Sequence, residues 1–423
     1  MKIVANNPNL ISWVEVPKSH DFPIQNLPFG LGIIGNSKSP RALSAIGDFA
    51  IDLQSLNDLG LLKGLGIKKN ILVNDALNDL IALGKSKTRQ LRQRLSEILN
   101  IEDAWGAKAN ASKFLIPIRD VQLKLPIKIG DYTDFYSSKE HATNVGTMFR
   151  DPQNALFPNW LHLPVGYHGR SSSIVVSGTP IHRPKGQILE GENPNPIFSP
   201  TRQCDFELEM AFVIGKSTNL GESIPTSKAE DYIFGMMLFN DWSARDIQRW
   251  EYVPLGPFLA KNFASTLSPW IVTLDALEPY RISGQKQSPA VLPYLQFRGL
   301  KNYDINLEVA IQPEKEAATK ICHSNFKYLY WNMCQQLAHH TVNGCNINVG
   351  DLMASGTISG PDEKSYGSML ELTWKGTKPI KLKDGSERKF IQDNDTVIMN
   401  AYCENENGRI GFGSAVGKIL PSL

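Results

Sequence analysis

Within Asp205-Phe206-Glu207-Leu208-Glu209-Met210-Ala211-Phe212-Val213-Ile214 a carboxylate stands at every second position of the first half of an otherwise apolar run. In a strand alternate residues share a face, so Asp205, Glu207 and Glu209 are expected to point together, with Phe206, Leu208 and Met210 opposite. Like charges crowded on one face repel unless something positive lies between them. A hard divalent cation, which takes oxygen ligands from several carboxylates, answers that need. A half-exposed antiparallel strand produces the same alternation with no ion at all. Further acids in equally apolar surroundings tilt the balance toward the ion.

Gly130-Asp131-Tyr132-Thr133-Asp134-Phe135-Tyr136 supplies one such cluster, with His141 and Arg150 following. A carboxylate, a phenol, an imidazole and a guanidinium in one short segment match a ligand, a substrate contact, a general base and an anion clamp. The plain alternative makes Asp134 a helix cap and His141 an exposed side chain. Another cluster is Asn240-Asp241-Trp242-Ser243-Ala244-Arg245-Asp246, after the apolar run 232–239. A strand ending in Asp241 and turning into a helix would place that carboxylate at a sheet rim, with Gln248 and Tyr252 extending over the same opening. Asp241 as an N-cap is the competing reading. Lys261 lies in Pro254-Leu255-Gly256-Pro257-Phe258-Leu259-Ala260-Lys261-Asn262-Phe263, a loop otherwise without charge. An ammonium held there calls for carboxylate partners and could stabilise an oxyanion, unless it snorkels to solvent. Gly30-Leu31-Gly32-Ile33-Ile34-Gly35 fits G-x-G-x-x-G, but Pro28 before it and Asn36-Ser37-Lys38-Ser39-Pro40 after it argue against the strand–turn–helix that dinucleotide binding requires.

The elements that must position these groups follow from composition and periodicity. The chain has 423 residues, 42% of them hydrophobic, enough for a large core and two or three domains. Its 44 basic and 42 acidic residues nearly cancel, which leaves no electrostatic footprint for nucleic acid or an anionic membrane. Small molecules are the expected partners. No basic stretch followed by an apolar run opens the sequence, and no segment approaches membrane-spanning length, so a cytoplasmic enzyme is expected. Cys204, Cys322, Cys334, Cys345 and Cys403 lack C-x-x-C spacing and are read as reduced thiols.

The stretch Asn74 to Asn100 reads as helical, with Gly84 and Ser86 as interruptions. A domain boundary is expected within 110–128. Beyond it, short alternating runs such as Ser173-Ile174-Val175-Val176-Ser177 are separated by Gly and Pro. Helices are expected after Asp241 and around Phe326 to His339. The result is a mainly β, β-rich α+β catalytic domain preceded by a smaller N-terminal module.

Longer runs carry a more specific signal. G-D-Y-T-D-F-Y from Gly130, N-W-L-H-L-P-V-G-Y-H-G-R from Asn159, E-L-E-M-A-F from Glu207, N-D-W-S-A-R-D-I-Q from Asn240 and A-S-G-T-I-S-G from Ala354 resemble the fumarylacetoacetate hydrolase family. The resemblance runs almost unbroken from Gly130 to the C-terminus and reappears at Asp21-Phe22-Pro23-Ile24-Gln25-Asn26-Leu27-Pro28. It implies metal carboxylates at Asp134, Glu207, Glu209 and Asp241, a catalytic histidine at His141 and an orienting carboxylate at Glu371. It also implies substrate contacts at Tyr136, Arg150, Tyr167, Gln248, Tyr252 and Thr357, and an active-site lysine at Lys261. Lys261, Arg150 and Gln248 would stabilise the oxyanion. Where the family has glycine before that lysine and Ser-Phe-Gly-Thr after it, this chain has Ala260 and Asn262-Phe263-Ala264-Ser265. Ser265 keeps a hydroxyl for an auxiliary metal contact, whereas an ammonium cannot ligate a cation, so Lys261 could contribute only its backbone carbonyl.

The implied reaction is hydrolysis of the carbon–carbon bond of 4-fumarylacetoacetate to fumarate and acetoacetate, closing tyrosine and phenylalanine breakdown, with Ca2+ or Mg2+ as cofactor. The implied fold is a small SH3-like β-barrel over residues 1–122 and a β-sandwich roll over 123–423, paired in a homodimer. A hydrolase of fumarylpyruvate or another acyl-pyruvate would share the metal acids. A catalytically silent binding protein on the same fold is the alternative from a different class. The long N-terminal domain and the H-L-P-V-G-Y-H-G-R run favour the first reading over the acyl-pyruvate one.

Overall fold

Phe29–Ile34 joins the N-terminal strands to the rest of the molecule. In the computed structural model, which describes residues 3–191 and 193–423, this strand pairs antiparallel with Arg41–Ile46, with Val121–Lys124 and with Trp270–Thr273. The G-x-G of the segment is therefore strand and not a nucleotide loop. Packing explains the glycines: a Cβ on Gly30 would lie 2.5 Å from the Trp270 ring, and one on Gly32 would lie 2.5 Å from Val121 Cγ1. Only glycine lets these neighbours approach so closely.

The architecture is mixed α+β and strand-rich. One sheet of thirteen strands has ten in line, in the order Leu115–Pro117, Phe49–Asp52, Arg41–Ile46, Phe29–Ile34, Trp270–Thr273, Ile233–Asp241, Leu208–Ile214, Leu352–Ala354, Tyr132–Phe135 and Gly166–Gly169, with Val121–Lys124, Ser265–Leu267 and Ile174–Val176 paired off this line. Five strands, Thr319–Asn325, Asn306–Gln312, Thr396–Asn405, Gly408–Leu420 and Ile181–His182, form another sheet. Along Asn306–Gln312 the buried residues alternate, with Leu307, Val309 and Ile311 inward. They join Phe206, Leu208, Phe212, Leu238, Trp242, Met399 and Phe412 in one apolar cluster, so the two sheets share a core.

The expected SH3-like barrel does not close among the described residues. Leu115–Pro117 pairs only with Phe49–Asp52, and Val121–Lys124 only with Phe29–Ile34. Phe29 and Gly30 spend an edge on Ile271 and Trp270, which carries the N-terminal strands into the larger sheet instead of into a ring.

The expected helix over 74–100 is two helices, Asn78–Ala82 and Lys85–Leu99, parted at Gly84, whose φ of +87° suits glycine. Leu91, Leu95, Ile98 and Leu99 form its buried face. Helices follow at Arg245–Glu251 and Met333–Thr341. The latter starts later than the sequence suggests because Asn332 caps it, in a capping box with Gln335; residues 326–328 form a separate 3-10 turn. All five cysteines are free thiols, four of them buried. No described helix is long and apolar enough to cross a membrane.

Helix Lys139–Phe149, which carries His141, is seated by Gly146. A Cβ there would lie 1.9 Å from the carbonyl oxygen of Ala155. Alanine raises helix propensity by up to about 1 kcal/mol. Overpacking against a backbone atom costs about 1–3 kcal/mol or more, and so wins. Gly146→Ala is expected to lower the urea midpoint, and an unchanged midpoint would show that the 150–157 segment yields freely.

Candidate active site

Strand pairing brings the scattered acids together. Leu208–Ile214 lies between Ile233–Asp241, with Glu209 opposite Phe239, and Leu352–Ala354, with Ala211 opposite Ala354. Tyr132–Phe135 runs parallel to Leu352–Ala354, with Asp134 beside Ala354. Asp134, Glu207, Glu209 and Asp241 thus converge at one sheet end, each offering an oxygen within 4.8 Å of the others. All four are buried. Asp134 lies in a strand and caps nothing, and the helix after Asp241 has Ala244 at its N-cap with no side-chain cap bond.

Asp205 departs from the expected alternation. Cys204–Asp205 pairs with Ser243–Ala244, and the next ladder begins only at Leu208, so the period of two is broken between them. Asp205 instead accepts from Arg245 Nε at 2.8 Å and from the backbone N–H of Met369 and Leu370 at 2.7 and 3.0 Å.

The four acids are crowded together and buried. Burial, and then the neighbouring acids, push the carboxyls of Asp134 and Glu209 well above the ordinary range; burial and Glu207 raise Asp241 as well. Burial opposes ionisation of Glu207 too, but Lys261 and Arg245 hold it below its ordinary value. Lys261 donates to Glu207 and, at 2.9 Å, to Asp241 Oδ2. Burial works to lower the pKa of Lys261, and Asp241 and Glu207 overcome it, so the ammonium persists. Ser265 Oγ donates to Asp241 Oδ1 at 2.8 Å and Tyr167 Oη to Asp241 Oδ2 at 3.3 Å.

Asp134 Oδ1 and Glu209 Oε1 are buried with no hydrogen-bond partner. Gly356 N–H fixes the other oxygen of Glu209 at 3.0 Å. Convergent carboxyl oxygens, two of them orphaned and costly to ionise without a counter-charge, fit a hard divalent ion. Each raised acid makes stability fall as pH rises: the unfolded chain ionises first, near the ordinary values of 3.8 for Asp and 4.5 for Glu, and the penalty grows until the folded pKa is passed. Chelator-stripped protein is expected to lose thermal stability from about pH 4 upward on this account, and added calcium to restore it at neutral pH. Equal melting temperatures with and without calcium at pH 7.5 would sink that expectation.

Near this cluster His141 is paired with a carboxylate of its own. His141 lies in the first turn of helix Lys139–Phe149, where Ser138 Oγ accepts from its N–H at 3.2 Å. Its Nδ1 is 2.7 Å from Glu371 Oε2. Glu371 also accepts from Asn144 at 2.9 Å, Ser359 at 2.9 Å and Ser368 at 2.8 Å. Burial opposes its charge, yet His141 and these donors hold its pKa below the ordinary value. An ionised Glu371 requires the proton on Nδ1, which leaves the Nε2 lone pair free. The Tyr136 ring stands edge-on to the imidazole, with centroids 5.2 Å apart. The imidazole bears electrostatically on Glu207, so it and the carboxylate cluster are neighbours.

The remaining expected residues are placed unequally. Gln248 is half-buried and accepts from Arg245 Nη1 at 3.2 Å. Thr357 is buried beside Gly356 with its hydroxyl unpartnered. Tyr252 ends helix Arg245–Glu251 and is exposed. Arg150 is not bonded to the cluster: it donates to Ala155 O at 2.6 Å and stacks on Phe157 at 4.1 Å, although its charge reaches Tyr136.

Sequence reasoning missed Arg245, Asn144, Ser359 and Ser368. Arg245 Nη1 lies 2.7 Å from Glu207 Oε1, and its buried Nη2 has no partner. Asn144 was detectable, since it follows His141 by three residues on a helix and so shares its face. Ser368, three residues before Glu371, carried the local S-x-x-E spacing of a helix cap, whereas Arg245 meets Asp205 from 40 residues away and Ser359 meets Glu371 from 12.

The strand-rich α+β fold thus carries a buried carboxylate cluster that could hold a metal ion, beside a histidine–glutamate pair. Residues 131–419 match the model described as fumarylacetoacetate (FAA) hydrolase C-terminal, and residues 25–126 match that described as fumarylacetoacetase N-terminal. The chain belongs to the fumarylacetoacetate hydrolase family. It is 51% identical over 418 residues to the fumarylacetoacetase of Homo sapiens, covering 98% of this chain and 99% of that one. Identity to the Dictyostelium discoideum fumarylacetoacetase is 52% over 420 residues, covering 98% of each. Among solved structures, a fumarylacetoacetate hydrolase from psychrophilic Exiguobacterium antarcticum is similar in fold, with a TM-score of 0.50 at 16% identity over 93% of this chain and 99% of that one.

Proposed function

We infer that this chain hydrolyses the carbon–carbon bond of 4-fumarylacetoacetate to fumarate and acetoacetate, the final step of tyrosine and phenylalanine catabolism. The observation that carries the reading is the pairing of His141 with Glu371 beside four converging buried carboxylates, in a chain about half identical to fumarylacetoacetases along almost its whole length.

His141 Nε2 takes a proton from water, and Glu371 supports the resulting imidazolium. The hydroxyl adds to the ketone carbon, and the alkoxide is met by the ammonium of Lys261, with Arg150 and Gln248 as further donors. The unpartnered Nη2 of Arg245 adds another. Preorganised donors of this kind are each worth about 3–4 kcal/mol in such sites. The carbon–carbon bond then breaks, and the imidazolium returns its proton to the departing carbon. Asp134, Glu207, Glu209 and Asp241 would hold Ca2+ or Mg2+, which supplies Lewis acidity and a template for the diketone when bound. The hydroxyl of Ser265 and the backbone of Lys261 are auxiliary contacts in this reading. Tyr136, Tyr167, Tyr252 and Thr357 line the substrate. Residues 1–122 form a supporting module, 123–423 the catalytic unit, and the protein works as a cytoplasmic homodimer.

The test is the ultraviolet absorbance of fumarylacetoacetate over chelator-stripped protein, before and after calcium or magnesium is added. Metal-dependent loss of the diketone band is the expected result. Turnover of an acyl-pyruvate in its place would move the substrate, and no turnover of either would leave a binding protein.

A further inference from the structure

Resting on that reading of the site, we propose that Asp205 is a positioning residue that ties the metal-binding side of the site to the base side. Its carboxylate is fully buried and has donors on both sides. Toward the cluster it accepts from Arg245 Nε at 2.8 Å, and the same guanidinium reaches Glu207 Oε1 at 2.7 Å. Toward the base, Oδ1 accepts from the N–H of Met369 at 2.7 Å and Oδ2 from that of Leu370 at 3.0 Å. Met369–Leu372 is the single helical turn that carries Glu371, and its other early N–H is capped by Ser368 Oγ. One carboxylate therefore fixes both the arginine that sets Glu207 and the turn that sets Glu371. The backbone bridge between Glu207 and Ser368 holds the two segments side by side, but it orients neither side chain.

Every group facing Asp205 in these bonds is a donor. Oδ2 serves both Arg245 Nε and the Leu370 N–H while Oδ1 serves the Met369 N–H, so an asparagine of the same shape must turn its amide NH2 toward one side or the other and in neither orientation meets all three donors. It also frees Arg245 from one of its two counter-charges, which strengthens the hold of the guanidinium on Glu207 against an incoming cation. Loss of a residue that supports ligands in this way costs about 10- to 100-fold in metal affinity.

The experiment compares the full-length parent with Asp205→Asn, Glu371→Gln and the double variant, after circular dichroism has established that each is folded. Calcium affinity by titration calorimetry and kcat on fumarylacetoacetate are both read. Asp205→Asn is expected to raise the calcium Kd by about 10-fold or more, while Glu371→Gln leaves it near the parent value. In the Glu371→Gln background, Asp205→Asn is expected to cost little further kcat and still weaken calcium. An unchanged calcium Kd, or kcat losses that multiply, would overturn the proposal, as would a parent that binds no calcium. If Asp205→Asn does not fold, Arg245→Lys, which keeps the charge and loses the fork, is expected to weaken calcium to the same extent. A parent that binds calcium but does not turn over fumarylacetoacetate would refute the substrate assignment alone, leaving the calcium comparison to decide the role of Asp205.

Discussion

Replacing His141 with alanine is expected to lower kcat/KM for fumarylacetoacetate by about 10²- to 10⁴-fold, the usual contribution of a positioned general acid–base group. The imidazole is buried, capped at its backbone by Ser138 and held through Nδ1 by Glu371, so the direction of its Nε2 is fixed. No second base stands ready in its place. Glu371 is sequestered by His141, Asn144, Ser359 and Ser368, and Tyr136 is held as a neutral phenol by burial and by the negative charge of Glu371 and Glu207. Calcium affinity should survive, because His141 bonds none of the four clustered acids. Glu371→Gln should cost less than His141→Ala, since a neutral amide can still accept from Nδ1–H but no longer supports the imidazolium. Stopped-flow turnover with a parallel calcium titration checks the pair of results. Near-parental turnover of His141→Ala would remove the base from the mechanism.

The parts of the site that could be read from the sequence are those whose geometry is local. Glu207 and Glu209 sit two apart across a strand edge, and Asp241 ends an apolar run before a helix; both relations are written in a few consecutive residues. The same rule failed for Asp205, because strand periodicity holds only while the pairing is unbroken, and it breaks at Phe206. Asn144 carried a local signal, being three residues beyond His141 on one helix. Ser368 carried one too, the S-x-x-E cap spacing with Glu371 three residues on, whereas Arg245 and Ser359 carried none, since their partners lie 40 and 12 residues away in the chain. The fold divides in the same way. Helix Lys85–Leu99 and its break at Gly84 follow from spacing and a glycine. The merging of the N-terminal strands with the catalytic sheet depends on Phe29 meeting Ile271, a pairing of distant segments that no local pattern announces, and resemblance alone suggested a closed barrel there.

Asp134→Asn is expected to weaken calcium binding by more than about 100-fold, beyond the 10- to 100-fold that follows loss of a mere supporting partner. It should at the same time stabilise the metal-free protein. The two effects have one cause. Asp134 Oδ1 is buried with no hydrogen-bond partner, and burial together with Asp241 drives its carboxyl well above the ordinary range. Lys261 relieves this in part but donates to Glu207 and Asp241, and not to Asp134. A carboxylate in that position costs stability until a cation arrives, whereas an amide of the same shape carries no charge to desolvate and opens no cavity. The metal-free variant should therefore melt above the metal-free parent at pH 7.5, and the difference should shrink toward pH 4, where the parent carboxyl is protonated. With saturating calcium the order should reverse, because only the parent gains the full binding free energy. Melting curves of both proteins, with and without calcium, test the argument in one experiment. A variant that melts below the parent without metal would show that Asp134 is held by contacts other than the ion.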